Sequence, residues 1–272
     1  MPTSLTPTGI AHERGGPPGR TPVVLLHAGI ADQRMWDPQW ADLTAVRDAV
    51  RLDLRGFGES ERPPLGALDP VGDVLATLDH LGITTWHLVA SSFGAGVAVE
   101  VALTRPAAVR SLLLAPPGGS LFTERTSGFA AFAAAENDAM ARGDLDAAVE
   151  ANVTAWVVGE GRTGADVDPD VTAAVRVMQR RAFDIDAAWA DPDLDEVELD
   201  PPATERHAEV DQPVLLVVGG HDLDIVRLAA DSLEAGLPHV RRVDRSDTAH
   251  LPSMEEPEWF LHLLLGWVTE QD

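Results

Sequence analysis

Short apolar runs alternate with amphipathic stretches along most of this chain, and this alternation limits its possible folds more than any other feature. Each run is bounded by Gly, Pro or Asp, as buried parallel strands commonly are. The pattern predicts an α/β fold with a mostly parallel sheet flanked by helices. The predicted strands are Pro22–His27, Ala49–Asp53, Thr85–Ala90, Val109–Ala115, Pro213–Gly219 and Val240–Asp244, and an additional edge strand over residues 8–14 is left open.

The stretches between the strands predict helices that each carry one apolar face. Pro70–Leu81 places its apolar side chains on one side, and Gly82 stops it. Phe93–Arg105 follows the third strand almost without a loop, and Pro257–Thr269 completes the pattern near the end of the chain. These helices are expected to pack on the sheet.

The strand pattern is interrupted over residues 117–210, where the sequence predicts helices only. The predicted helices there are Ser127–Arg142, a second capped by Asp144 and running to about Val158, and a third opened by Asp168-Pro169. Because the strand pattern resumes afterwards, we expect residues 1–116 and 211–272 to form a single core. Residues 117–210 are then expected to form a helical lid, an inserted subdomain rather than a second domain.

The composition excludes several kinds of chemistry. The chain has no cysteine and no tyrosine, and all 20 of its basic residues are arginine. A thiolate nucleophile, a Cys-ligated zinc site, a lysine Schiff base and a lysine-dependent phosphate loop are therefore ruled out. The formal net charge of −24 repels nucleic acid and anionic membranes, so neither is expected as a partner. The acidic stretch 191–200 is expected to belong to this solvated surface as a linker.

The expected location is the cytoplasm. No apolar run approaches the roughly 18 residues that a membrane-spanning helix needs, and residues 1–20 lack the apolar core of a signal peptide. No metal is expected, because no His and carboxylate residues are clustered at ligand spacing. The oligomeric state is left open.

Ser92 lies where the third predicted strand passes directly into a helix, in the stretch LVASSFGAG. Small residues at positions 90 and 94 suit a tight turn with an unfavourable backbone at the serine. The field at the start of the helix favours negative charge that develops beside Ser92. The alternative is a chance Ser-x-Gly at a helix start, since serine is a common cap.

This turn resembles the Gly-x-Ser-x-Gly nucleophile elbow of the α/β-hydrolases, with Ala90 in place of the first glycine. Three further segments resemble the family in the same chain order. VVLLHAG resembles the strand that ends in His-Gly, with Ala28 in place of the glycine. RLDLRGFGES resembles the Asp-x-Arg-Gly-x-Gly-x-Ser segment, and AHLPSMEEPEWF resembles the terminal histidine region.

The resemblance implies a serine hydrolase whose nucleophile, acid and base follow the chain order Ser, Asp, His. Ser92 is then the nucleophile, His250 the base and Asp222 the acid that orients the base, with Asp224 as an alternative acid. The oxyanion hole is expected from the amides of Gly29 and Phe93.

The expected reaction is hydrolysis of a carboxylic ester or lactone through an acyl-serine, without a cofactor. Family resemblance leaves C–C bond hydrolysis and cofactor-free perhydrolysis open on the same residues. A ligand-binding protein that kept the fold with little turnover is the alternative from another class. The lid aromatics Trp156, Phe129 and Phe132 are expected to line the substrate pocket, or else to pack the lid itself. The substrate is not specified by any motif.

Overall fold

The computed structural model describes residues 3–189 and 194–272, and an eight-stranded sheet forms its centre. Its strands are β1 (Ser4–Leu5), β2 (Ala11–Gly15), β3 (Val23–Leu26), β4 (Ala49–Leu52), β5 (Trp86–Ser92), β6 (Val109–Pro117), β7 (Val214–Gly219) and β8 (Val240–Arg245). They lie in the order β1-β2-β4-β3-β5-β6-β7-β8. Two pairs are antiparallel, β1 with β2 and β2 with β4, and all pairs among β3 to β8 are parallel.

The predicted α/β fold and its mostly parallel sheet are confirmed. Every residue of β3, β4 and β7 is buried, as expected for strands covered on both faces. The predicted strand ends differ most at β5 and β6, which continue to Ser92 and Pro117 because these two residues still pair with each other. The open edge strand is present as β2, with β1 outside it.

Nine α-helices surround the sheet in the part of the chain that the structure describes: α1 (Asp37–Val46), α2 (Pro70–His80), α3 (Phe93–Thr104), α4 (Ser127–Ala141), α5 (Leu145–Asn152), α6 (Pro169–Ala188), α7 (Asp224–Gly236), α8 (Pro252–Glu255) and α9 (Pro257–Glu270). The predicted helices α2, α3 and α9 are confirmed within one residue at each end. Asp69 starts α2 by accepting a hydrogen bond from the Gly72 amide at 2.7 Å.

Two longer helices, α1 and α7, were not predicted from the sequence. α1 turns the polar Gln39 inward together with Leu43, so its apolar period is weak. α7 buries a regular apolar face, so its sequence does carry a signal. No helix within residues 3–189 and 194–272 combines the length and apolar character that a membrane span requires.

The described residues between β6 and β7 carry helices and no named strand, in agreement with the sequence. Thr126, Asp144 and Asp168 cap α4, α5 and α6 through their side chains. The second predicted helix changes character before its end, since α5 passes into a π-helix at Val153–Val158.

Part of the acidic stretch 191–200 lies outside the described residues, namely 191–193. Its later part is held by backbone hydrogen bonds: the Leu68 amide donates to Asp195 and the Val197 amide donates to Leu68. This part of the stretch is therefore paired with the chain before α2 rather than being a free linker.

Candidate active site

Ser92 occupies the junction of β5 and α3 in a conformation that serine rarely adopts. Its φ is 52° and its ψ is −113°, and no other non-glycine residue among those described has positive φ. Such a backbone costs on the order of 1–3 kcal/mol and persists only where its surroundings enforce it. The strand-to-helix turn predicted from the sequence is therefore present, and its strain is concentrated at the serine.

Gly94 explains why this turn needs a small residue two positions after Ser92. Its amide donates to the carbonyl of His27 at 3.1 Å, and a Cβ on Gly94 would lie 2.6 Å from that same oxygen. Ala90, two positions before the serine, is fully buried in β5, where its methyl group is accommodated. The departure from glycine at position 90 therefore leaves the turn intact.

Gly29 and Phe93, the predicted oxyanion donors, lie next to each other. A Cβ on Gly29 would be 3.3 Å from the Phe93 Cβ. Phe93 is the first residue of α3, so its amide has no acceptor within the helix. On the other side of the serine, a Cβ on Gly118 would lie 3.0 Å from Ser92 Oγ. Gly118 thus keeps the space beside the serine hydroxyl open.

His250 and Asp222 form a buried pair at the same edge of the sheet. The loop after β8 carries His250, and the loop after β7 carries Asp222. His250 Nδ1 donates to both carboxylate oxygens of Asp222, at 2.8 and 2.9 Å, and the two side chains are only 1% and 0% exposed. With Nδ1 protonated towards Asp222, Nε2 is left as the basic nitrogen.

Asp224, the alternative acid, faces elsewhere. It is the first residue of α7, and its Oδ1 is buried without a hydrogen-bond partner among the described residues. Gly128 at the start of α4 lies beside that oxygen. The carboxylate that contacts His250 is therefore that of Asp222.

The structure brings Ser92, His250 and Asp222 to loops at the carboxyl ends of parallel strands. Within the described residues, no hydrogen bond joins His250 to the Ser92 hydroxyl. Such bonds commonly shorten when substrate binds. The arrangement offers a hydroxyl at a strained turn, a buried histidine with a free Nε2, and a carboxylate that orients it.

The three lid aromatics predicted to line a pocket form one cluster against His250. The Trp156 ring centroid lies 4.4 Å from that of His250, and the His250 amide donates to the Trp156 carbonyl at 3.2 Å. Phe132 and Phe129 follow at centroid distances of 5.2 and 6.3 Å from Trp156. The π-helix that ends α5 places Trp156 in this position.

His27 and Asp53 support the loops beside the site. His27 Nδ1 donates to the Ala28 carbonyl at 2.8 Å, and its Nε2 accepts from the Leu54 amide at 2.9 Å. One ring nitrogen thus donates and the other accepts, as in the neutral ring, and burial lowers the pKa of His27 in the same sense. Asp53 accepts from the amides of Gln33 and Glu59 at 2.8 and 2.9 Å, while burial raises its pKa to about 7.

Two residues near the site were missed by the sequence reasoning. Glu255 accepts from the Ala249 amide at 2.8 Å, immediately before His250. Arg162, which follows the π-helix, donates to Glu255 at 2.6 Å. Glu255 stands within the terminal segment that resembles the family, but nothing in the sequence connects it with Arg162. No three His, Asp or Glu side chains within residues 3–189 and 194–272 are grouped to hold a metal ion.

Comparison with known proteins identifies the family. A model of the alpha/beta hydrolase fold matches residues 21–257. The chain belongs to the α/β-hydrolase fold family. Among curated relatives of this α/β-hydrolase, the 3-oxoadipate enol-lactonase 1 of Acinetobacter baylyi is 26% identical over 258 residues, covering 93% of this chain and 90% of the relative.

Some matches to this α/β-hydrolase are shorter. The dihydrolipoyllysine-residue acetyltransferase component of the acetoin cleaving system of Pseudomonas putida is 41% identical over 109 residues, which is 39% of this chain and 29% of that protein. Among solved structures, the enol-lactonase of Burkholderia xenovorans aligns with a TM-score of 0.75 and 20% identity, covering 98% of this chain and 100% of that one. An N-acyl homoserine lactone degrading enzyme aligns at 0.74 and 22%, covering 97% and 99%. These two structures share the fold.

Proposed function

We propose that this α/β-hydrolase cleaves a carboxylic ester or lactone through an acyl-serine intermediate. The observation that carries the proposal is the buried pair of His250 and Asp222 at the sheet edge where Ser92 occupies its strained turn. A serine hydroxyl is a weak nucleophile and needs a base whose orientation is maintained. Asp222 supplies that orientation through two hydrogen bonds to Nδ1.

In the first half of the reaction, Ser92 Oγ attacks the ester carbonyl and its proton passes to His250 Nε2. The carbonyl oxygen becomes an oxyanion, for which the amides of Gly29 and Phe93 are the proposed donors. One such donor contributes about 3 kcal/mol to the transition state. His250 then gives its proton to the leaving oxygen, and the C–O bond breaks to release an alcohol and form the acyl-serine.

In the second half, water attacks the acyl carbon while His250 takes one of its protons. Collapse of this intermediate returns the proton to Ser92 Oγ and releases the carboxylic acid. With a lactone, the alcohol and the acid remain in one molecule, so a hydroxy acid leaves only at this stage. Asp222 stabilises the His250 imidazolium in both halves and is not itself protonated.

The helical lid, residues 117–210, is proposed to select the acyl group. Its aromatic cluster of Trp156, Phe132 and Phe129 lies against His250, so an acyl or ring portion bound there would meet apolar surface. The aromatic surface against His250 therefore favours an apolar acid portion over a charged one. Phe132 also lines a groove of about 640 Å³ with alanines of α4 and α5, but four charged side chains and none of the three proposed catalytic residues line it, so we do not assign it to the acyl group.

The test is turnover of a panel of chromogenic esters and lactones, combined with covalent labelling by a serine-directed organophosphate. We expect turnover and one label at Ser92, and Ser92→Ala should abolish both. Ser91→Ala is the matched control, because the Ser91 hydroxyl is fully buried and its loss should leave labelling intact. Labelling at Ser91, or an active enzyme that takes no label, would contradict the assignment of the nucleophile. A folded protein that binds these compounds without turnover would instead be a ligand-binding protein.

A further inference from the structure

The turn that follows the π-helix contains an arginine whose contacts reach the histidine loop, residues 246–251 between β8 and α8. The side chain of Arg162 is only 7% exposed. Its guanidinium donates to the carbonyls of Val157 and Val158 at 2.8 and 2.7 Å. It also donates to the carbonyl of Asp247 at 3.0 Å and to Glu255 at 2.6 Å. Two of its acceptors therefore belong to the lid and two to the segment that surrounds His250.

Glu255 connects this arginine to the residue next to the histidine. Its side chain is 8% exposed, and its second oxygen accepts from the Ala249 amide at 2.8 Å. Burial raises the pKa of Glu255, and the bond from Arg162 opposes that shift by favouring the carboxylate. A buried carboxylate is expensive without a partner, so Arg162 keeps Glu255 available as a charged acceptor for the Ala249 amide.

The same turn also contacts the loop that carries Asp222. The Glu160 amide donates to the His221 carbonyl at 2.7 Å, and His221 Nδ1 donates to the Glu160 carbonyl at 2.8 Å. Arg227 donates to the Asp222 carbonyl at 2.6 Å and to Glu160 Oε2 at 2.9 Å. One short segment of the lid is thus bonded to both loops whose side chains form the His250–Asp222 pair.

We propose that Arg162 is a positioning residue: through Glu255 and the Ala249 amide, it holds His250 in the orientation that its pairing with Asp222 and its reaction with Ser92 require. This inference rests on the proposed function for its catalytic consequence, but the positioning itself can be measured without substrate. A displacement of about 1 Å at a reacting group can cost on the order of 100-fold in rate. Other backbone bonds to this loop come from the His221 amide, which donates to the Thr248 carbonyl at 3.0 Å, and from the His250 amide, which donates to Trp156, but among the described residues only Glu255 accepts from the Ala249 amide through a side chain.

Arg176, another arginine of the lid, provides a matched control for Arg162. Arg176 pairs with Glu150 at 2.5 Å, but these side chains are 44% and 54% exposed and join α6 to α5 within the lid. Exposed pairs contribute little, and this one contacts neither loop. Arg176→Met therefore removes a lid arginine and its ion pair without touching the histidine loop.

The experiment compares Arg162→Met, Arg162→Lys and Glu255→Gln with Arg176→Met. The readouts are kcat and KM for the best ester of the panel, the rate of organophosphate labelling, and the downfield proton resonance of the His250 Nδ1–H that is shared with Asp222. We expect Arg162→Met to lower kcat and the labelling rate by roughly 10- to 100-fold, with little change in KM and a shifted or lost resonance. Arg162→Lys should recover part of the rate, because it keeps the charge beside Glu255. Arg176→Met should match the wild type.

Glu255→Gln tests the same contacts if the arginine variants fail to fold. It preserves the side-chain shape and an acceptor for the Ala249 amide while removing the charge. Glu255→Gln should lower kcat. If the two residues act as one unit, adding Arg162→Met to Glu255→Gln should lower kcat by a smaller factor than Arg162→Met lowers it in the wild type. Folded Arg162→Met and Glu255→Gln variants that keep wild-type kcat, labelling and resonance would overturn the proposal. If the wild type takes no label while Arg162→Met still loses the resonance, the proposed function fails and the positioning role stands.

Discussion

The indole ring of Trp156 lies 4.4 Å from the imidazole of His250, and the carbonyl of the same tryptophan accepts a hydrogen bond from the His250 amide at 3.2 Å. One lid residue therefore contacts both the ring and the backbone of the proposed base. From the sequence we expected a helical lid whose aromatics line the substrate pocket or pack the lid itself. Because Trp156 contacts His250 and Arg162 contacts Glu255, a movement of this segment would also move the loop that carries His250.

Asparagine substitution distinguishes the two candidate acids. Asp222→Asn keeps the shape of the side chain but no longer favours the His250 tautomer with Nδ1 protonated, nor stabilises its imidazolium. We expect kcat for the best ester to fall by about four orders of magnitude, as this change does in serine protease triads. Asp224→Asn is the matched control and should lower kcat only slightly, since Asp224 does not contact His250. A larger loss for Asp224→Asn would transfer the role of the acid to that residue.

The strain at Ser92 predicts an unusual stability difference between two inactive variants. Both Ser92→Ala and Ser92→Gly remove the hydroxyl, but only glycine adopts a φ of 52° with a ψ of −113° without steric cost. We expect the free energy of unfolding of Ser92→Gly to exceed that of Ser92→Ala by about 1 kcal/mol. Urea denaturation of the two purified variants measures the difference. A more stable Ser92→Ala would show that the turn is not strained at this residue.

The sequence was informative about this site wherever the deciding contacts are local. The turn at Ser92 follows from a strand, small residues and a helix that are adjacent in the chain. The choice between Asp222 and Asp224 could be ranked by family resemblance, but it depends on which carboxylate points to a histidine 28 residues away. Arg162 and Glu255 are separated by 93 residues, and no periodicity or motif relates them. The sequence pattern predicts an ordinary helix at Trp156, where the structure has a π-helix, because one inserted residue leaves the helical pattern almost unchanged.

Asp53 predicts a pH dependence of stability. Burial raises the pKa of its carboxyl from 3.8 to about 7, so the folded protein retains a proton that the unfolded chain releases between these values. The stabilisation from protonated Asp53 is therefore complete below about pH 4 and is lost as the pH rises to about 7. The free energy of unfolding of the wild type minus that of Asp53→Asn should fall across this range, by at most about 1.4 kcal/mol per pH unit. Taking the difference cancels the titration of the other carboxylates, and a difference that is constant or rises with pH would contradict the prediction.

Truncation of the aromatic cluster separates substrate selection from support of the base. The Phe129 ring packs on Trp156, while the ring that stacks on His250 is that of Trp156, so Phe129→Ala should change the preferred acyl-chain length and leave organophosphate labelling of Ser92 at the wild-type rate. Trp156→Ala should change the chain-length preference as well, since each methylene in an apolar pocket is worth roughly 1–3 kcal/mol of discrimination. It should also slow labelling, because the His250 ring loses the surface against which it packs.

The measurements for Phe129→Ala and Trp156→Ala are kcat/KM across a series of esters and the rate of labelling at Ser92. If both variants keep the wild-type chain-length profile, the aromatics are core residues of the lid and the acyl group binds elsewhere. If Trp156→Ala labels at the wild-type rate, the ring contact does not support the base, and only its backbone hydrogen bond to His250 does.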